Sequence, residues 1–147
     1  MNNIYLKKAT SEDIDFLFDL RNKKYIYESC LNPRPITYSE HLTWITPILE
    51  GNAKDRLLFV VITNGKKTGQ IRFDFLKENL AEVNISFLEE YHRQGVANYA
   101  LETGIKLMKG NGIEKVLAEI FESNLGSIKF FEKQGFHRID DVKKNLR

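Results

Sequence analysis

Ala81-Glu82-Val83-Asn84-Ile85-Ser86-Phe87-Leu88, followed by Glu89-Glu90-Tyr91-His92-Arg93-Gln94-Gly95-Val96-Ala97-Asn98, is the stretch whose reading decides the fold. Its first part alternates: Ala81, Val83, Ile85 and Phe87 are apolar, whereas Glu82, Asn84 and Ser86 are polar. A period of two places the two sets on opposite faces of a strand. From Gly95 the period changes. Val96, Ala100, Gly104, Leu107 and Met108 fall on one helical stripe, which ends at Gly110 or Gly112. A strand, a short connection and a glycine that opens a helix therefore follow one another here.

Towards the N-terminus, Asn64-Gly65 is a hairpin signal between an apolar run, Leu57 to Thr63, and a returning strand, Gln70 to Leu76. Ile4 to Ala9 alternates as an opening strand. Thr10 with Asp13 three residues on starts a first helix that runs to about Asn22. Asn32-Pro33-Arg34-Pro35 forbids helix and marks a loop. A second helix opens at Thr37 or Ser39, carries His41, Trp44, Ile45 and Ile48, and closes near Gly51. Towards the C-terminus, Lys115 to Phe121 reads as a strand, and Asn124 caps a last helix stopped by Gly135. Phe136 to Val142 is a final short strand. The order β-α-α-β-β-β-α-β-α-β predicts an α/β (α+β) mixed sheet with helices on both faces, in one domain over residues 1–147.

Bulk composition agrees with that reading. A chain of 147 residues fits one domain, and 42% apolar with 29% charged residues excludes a disordered or collagen-like chain. The net charge of +2, from 22 Lys+Arg and 20 Asp+Glu, is too balanced for a nucleic-acid binder. The single cysteine, Cys30, allows no intramolecular disulfide and reads as a small hydrophobe. No apolar run has the length of a signal peptide or a membrane span, so the expected location is the cytoplasm. No metal site is expected.

The helix opening at Gly95 is the place where chemistry is expected. Backbone N–H groups at a helix start lack intrahelical partners, and the macrodipole adds partial positive charge. Glycine admits an anion close to the backbone, so a pyrophosphate can sit there. Arg93 adds a guanidinium suited to bidentate phosphate contact, and the small Ala97 keeps the approach open.

The strand 81–87 with His92-Arg93-Gln94-Gly95-Val96-Ala97 resembles the acetyl-CoA-binding segment of the GNAT superfamily of N-acetyltransferases. Its usual pattern is Gln/Arg-x-x-Gly-x-Gly/Ala after a strand. Asn124, Ser127, Ile128, Phe130-Phe131-Glu132-Lys133 and Gly135-Phe136 are similar to the family's second segment, at the family's spacing. The resemblance implies a V-shaped opening between strands 81–88 and 115–121 that holds acetyl-CoA. Backbone groups of Asn84, Ile85, Ser86 and Phe87 would meet its pantetheine arm. The turn His92 to Asn98 would take the pyrophosphate, and Asn124 would reach the cofactor near its pantetheine. His92 stands where the family prefers Gln or Arg. Phe131 stands where many members carry a tyrosine that protonates the leaving thiolate, so water, another acid or an unassisted thiolate must serve. The sequence stops soon after Gly135, where the family completes a last hairpin, so the final strand is expected to be shortened or missing.

Leu20-Arg21-Asn22, Ser29, Ile36-Thr37, Glu40-His41, Trp44 and Gly69 to Asp74 are similar to a narrower group. Its members acetylate the 4-amino group of nucleotide-linked amino sugars in bacterial surface-glycan synthesis, the pseudaminic-acid pathway among them. That likeness implies an acceptor side formed by Arg21, His41, Trp44 and Arg72, a small-molecule amine as partner, and a homodimer as one candidate assembly. Strand alternation puts Glu82 on one face with Asn84 and Ser86, which makes it the first candidate base, with His41 in reserve. Arg72 and Asp74 could instead pair with each other. The competing readings are acetylation of a protein N-terminus, as in related ribosomal-protein acetyltransferases, and CoA binding without catalysis.

Overall fold

The computed structural model describes residues 3–92 and 94–139. Among the described residues, five strands form one sheet in the spatial order β1 (Ile4–Lys8), β2 (Arg56–Thr63), β3 (Lys66–Lys77), β4 (Leu80–Phe87) and β5 (Lys115–Leu117). The first four run antiparallel to their neighbours, and β5 lies parallel to β4. Helices α1 (Ile14–Arg21), α2 (Lys24–Tyr27) and α3 (Tyr38–Leu49) stand between β1 and β2. Helix α4 (Val96–Gly110) carries the crossover from β4 to β5, and α5 (Leu125–Lys133) follows β5. The expected mixed sheet is present.

Alternation along the strands divides the apolar residues into two layers. Phe59 and Val61, Ile71 and Phe73, and Ala81, Val83 and Phe87 face Val96, Ala100, Leu101 and Met108 of α4 and Phe131 of α5. The opposite face of β2 packs Leu58, Val60 and Ile62 against Leu17 of α1 and Ile45 and Ile48 of α3. Helix α4 lies close to the sheet at Gly104, where a Cβ would come within 2.9–3.0 Å of the Phe73 ring and Ile71. On the α1/α3 face, Gln70, Arg72, Asp74, Glu82, Asn84 and Ser86 border an open cleft. These polar residues sit there because their strand positions have the opposite parity to the core.

Local signals are realised in the turns. Asn64 and Gly65 adopt φ of 51° and 82°, the pair of positive values that a type I′ hairpin requires. Of the two candidate caps for α3, Thr37 is used: its side chain accepts from the Glu40 N–H at 3.1 Å, and Glu40 accepts from the Thr37 N–H at 2.9 Å.

Three expectations change. The strand foreseen over 115–121 ends at Leu117, because β5 pairs only with Leu80, Ala81 and Glu82 before the two chains separate. Beyond Leu117, β4 offers residues 118–121 no partner. The helix foreseen from Thr10 begins as a 3₁₀ turn, Ser11–Asp13, before α1, and the short α2 was not anticipated. Residues 136–139 carry no strand, and the rest of the expected strand to Val142 lies outside the described residues.

The join between β1 and α1 rests on a buried carboxylate. Asp13 is 0% exposed, yet it lies 2.6 Å from Lys7 Nζ and 2.8 Å from Lys67 Nζ, and accepts the Thr10 N–H at 2.8 Å. Burial alone would raise its pKa, but the bonds from Lys67, Lys7 and Thr10 together hold it below the usual carboxylate value. Removing the charge strands these donors around an uncharged side chain. Asp13→Asn should lower stability by about 3 kcal/mol at pH 7, read by urea denaturation. A depressed carboxyl contributes stability above its unfolded pKa of about 3.9 and loses it as pH falls through the folded value. The gap between the two proteins should therefore close below about pH 4.

Candidate active site

The cleft is set by a divergence. Strands β4 and β5 are paired at Leu80–Lys115, Ala81–Val116 and Glu82–Leu117, and no further. Beyond that point β4 runs on to Phe87, hydrogen-bonded to β3 on one edge only. Its other edge faces the opening, with backbone groups that no strand among the described residues takes up. The cleft measures about 1850 Å³, against ~300–1,000 Å³ for an ordinary small-molecule pocket. It has room for two molecules at once.

One end of the cleft is the turn into α4. Gly95 caps the helix in the left-handed region at φ 78°, and the first turn of α4 holds no acidic residue. Nothing lies within 4 Å of where a Cβ of Gly95 would sit, so the backbone angle, not crowding from the protein, selects glycine here. His92, Gly95, Ala97 and Asn98 line the cleft. Val96, between Gly95 and Ala97, is fully buried and packs into the core. Gln94 is exposed and donates to the Glu90 carbonyl at 2.6 Å. Arg93 lies outside the described residues.

Two groups brace this end. The His92 Nε2 is 3.2 Å from the Phe87 carbonyl, and since a carbonyl only accepts, that nitrogen carries the proton. Tyr25, which the sequence reading did not single out, donates its hydroxyl to the same carbonyl at 3.4 Å and accepts the Glu89 N–H at 2.7 Å. The Tyr25 and His92 rings meet edge-on at 5.7 Å. Burial raises the Tyr25 pKa, which keeps the hydroxyl protonated for that role. Its only sequence signal was an aromatic residue in a polar stretch after α1.

The other arm is α5. Asn124 caps it by accepting from the Ser127 N–H at 3.2 Å, and its Nδ2 donates to Ser29 Oγ at 3.4 Å across the cleft mouth. Phe131 is 5% exposed and packs edge-on between Phe130 and Phe136, with centroids 5.1 and 5.0 Å away. It is a core anchor that also borders the cleft.

On the acceptor side the candidates take unequal positions. Trp44 is half-buried, with the Arg72 guanidinium 5.3 Å and the Arg56 guanidinium 5.9 Å from its ring centre, within cation–π range. Both arginines also reach Asp74, at 3.0 and 3.7 Å, so the anticipated Arg72–Asp74 pair exists. Arg21 donates to the carbonyls of Arg34 and Asn32 at 3.1 and 3.2 Å and holds that loop in place. His41 is 2% exposed and donates through Nε2 to the Ile14 carbonyl at 3.0 Å, joining α3 to α1. Glu82 lines the cleft beside Asn84 and Ser86, opposite Asp74 in the β3–β4 register.

Residues 3–137 match the family described as "Acetyltransferase (GNAT) domain". The chain belongs to that family. A relative in Bacillus subtilis (strain 168), "Putative phosphinothricin acetyltransferase YwnH", is 30% identical over 131 residues, covering 80% of this chain and 78% of that protein. "Uncharacterized protein MJ1062" of Methanocaldococcus jannaschii is 25% identical over 148 residues, covering 98% of this chain; the chain spans only 30% of that protein's length. Among solved structures, an aminoglycoside acetyltransferase, AAC(6')-Ib, in complex with coenzyme A has the same fold, with a TM-score of 0.83 at 16% identity over 96% of this chain and 88% of that one. The GNAT acetyltransferase assignment read from the two segments therefore stands. No helix among the described residues is long and apolar enough to cross a membrane, and none of their His, Cys, Asp and Glu side chains group in threes as metal ligands.

Burial lowers the His41 pKa, so the buried ring is neutral near pH 7. The unfolded chain, with a histidine pKa of about 6.5, takes up that proton first. Stability should thus fall as pH drops below about 6.5, until the folded value is passed. In His41→Gln the decline in melting temperature between pH 7.5 and 5.5 should be shallower than in wild type. An unchanged slope would show that His41 is not the buried neutral group described.

Proposed function

We propose that the chain, as a single domain over residues 1–147, is an acetyl-CoA-dependent N-acetyltransferase acting in the cytoplasm on a primary amine, specifically the 4-amino group of a UDP-linked amino sugar. The observation that carries the first part is the unpaired edge of β4 running towards the left-handed Gly95 at the start of α4. An edge of that kind accepts an amide-bearing chain as a further strand would be accepted. The helix start beside it offers unpartnered N–H groups and partial positive charge to a pyrophosphate. No acidic side chain stands in that first turn to oppose it. The site's chemistry fits the cofactor from both ends.

In this reading, backbone groups of Asn84 to Phe87 hold the pantetheine, and those of Gly95, Val96, Ala97 and Asn98 hold the pyrophosphate. Arg93 adds its guanidinium, and Asn124 closes the second arm. When bound, acetyl-CoA supplies an acyl group already activated as a thioester, so the protein must position the amine and receive its proton. Glu82 is the base, because it is the carboxylate that strand parity places on the open face beside Asn84 and Ser86. His41 is the weaker choice: its Nε2 is bound to a carbonyl, and burial has lowered its basicity. Phe131 has no proton to give, so water serves the departing thiolate, whose thiol pKa is about 8.5. No step calls for a metal.

The acceptor side supports a nucleotide sugar through its mixture of an aromatic ring and cations. Trp44 offers a surface for a flat base, while Arg56 and Arg72 together outnumber the Asp74 that they share. Arg21 shapes that side by holding the loop of residues 32–34.

Release of CoA thiol tests this directly. A UDP-linked 4-amino sugar should be turned over far faster than a Ser-started peptide. Glu82→Gln should reduce kcat/KM by ~10²–10⁴-fold, with acetyl-CoA affinity unchanged. Phe131→Tyr should change kcat by less than about tenfold if water suffices. Faster turnover of the peptide would move the acceptor to protein N-termini, and acetyl-CoA binding without thiol release from any amine would make the chain a binding module.

A further inference from the structure

Gln70 on β3 borders the cleft at only 8% exposure. It stands opposite Ser86 in the β3–β4 register. Its Nε2 donates to Asn84 Oδ1 at 2.8 Å and to Ser86 Oγ at 2.9 Å. Those two bonds use both hydrogens of the amide. The Gln70 Oε1 is buried and has no partner among the described residues.

The orientation of this amide follows from counting. Turned over, Gln70 would place its oxygen against Asn84 and Ser86 and leave two N–H donors buried without acceptors. As it stands, one acceptor atom is left over. A buried unsatisfied group costs about 1–3 kcal/mol, so stranding one atom is the better of the two arrangements. The direction of the Gln70 amide then dictates its neighbours. Asn84 must turn its oxygen inward, which points its NH₂ away from β3, and Ser86 must offer a lone pair to Gln70, which frees its hydroxyl hydrogen. Asn84 is exposed, Ser86 is half-buried, and both line the cleft.

We infer that Gln70 is a positioning residue that fixes the hydrogen-bond polarity of the acceptor subsite, making Asn84 and Ser86 donors towards the ligand. Along β4, two residues span roughly 7 Å. The open face of the strand therefore presents a carboxylate at Glu82, then a donor at Asn84, then a second donor at Ser86. A ligand complementary to that row carries an amine at one end and hydroxyl or carbonyl oxygens within one or two such intervals. That class is a hydroxylated amine, of which an amino sugar is an example; a plain alkylamine leaves both donors unused. The inference rests on the acetyltransferase reading for the presence of an amine, but the polarity of the face rests on the hydrogen bonds alone.

Two measurements test it. In the first, Gln70→Glu keeps the shape and replaces two donors by acceptors, forcing Asn84 to present its oxygen outward. The variant should bind acetyl-CoA as wild type does and raise KM for an amino-sugar acceptor at least tenfold, with kcat within about threefold. KM for cyclohexylamine, which has no oxygen to read, should not change. A loss of acetyl-CoA affinity, or equal effects on both amines, overturns the inference. The second is side-chain amide hydrogen exchange followed by NMR in the wild type, with assignments made through Gln70→Glu and Asn84→Asp. The Gln70 NH₂ should exchange slowly and the Asn84 NH₂ fast. The reverse order overturns the inference even if no amine is acetylated, whereas failure of every amine with the expected exchange order would overturn the acetyltransferase reading instead.

Discussion

The site depends on how briefly β4 and β5 stay together. Three parallel residue pairs hold them at Leu80 to Glu82, and then the chains part. Had the pairing continued, the second edge of β4 would be consumed by β5, and the cleft would be closed. The separation is maintained by what fills the angle between the arms. Phe131 of α5 reaches the same apolar cluster as Val83 and Phe87 of β4 and Val96 of α4. The arms are thus fixed at their outer ends by a shared core while their backbones stay apart.

Period-two alternation on β3 and β4 then assigns work to each face. Ile71, Phe73, Val83 and Phe87 anchor α4 and α5, and Gln70, Arg72, Asp74, Glu82, Asn84 and Ser86 are delivered to the cleft. The close pass of the strands near Phe87 adds a constraint of its own. A Cβ at Gly69 would overlap the Phe87 ring and the Ser86 carbonyl, so only glycine lets β3 lie that near the end of β4. Tyr25 and His92 both donate to the Phe87 carbonyl, which ties the end of β4 to helix α2 and to the turn before α4. One short strand is therefore clamped from three directions. Its free edge is the part left for a ligand.

Much of this was legible in the sequence because the signals were local. Asn64-Gly65 specified a hairpin, Thr37 with Glu40 specified a helix start, and alternation from Ala81 to Phe87 specified which residues face the cleft. The Arg72–Asp74 pair followed from parity alone. What escaped the sequence depended on partners distant in the chain. The pattern of residues 118–121 is strand-like, but only the path of β4 decides whether a partner is there. Tyr25 gains its role from Phe87 and Glu89, more than 60 residues away. His41 and Arg21 look like ligand groups in sequence, and the structure shows their hydrogen bonds spent on backbone carbonyls. Gln70 was read as the first residue of a strand and as part of the Gly69–Asp74 likeness, and nothing local says that its amide meets Asn84 and Ser86.

The central claim is that the free edge of β4 and the Gly95 turn together hold acetyl-CoA, and isothermal titration calorimetry on wild type and Gly95→Glu tests it most directly. Wild type should bind with micromolar affinity, about −8 kcal/mol. Gly95→Glu adds a carboxylate where the pyrophosphate would lie, at a backbone angle of φ 78° that costs a side-chain-bearing residue about 1–2 kcal/mol. Circular dichroism first establishes that the variant is folded. The account predicts no detectable binding by that folded variant. Acetyl-CoA affinity equal to wild type would contradict it.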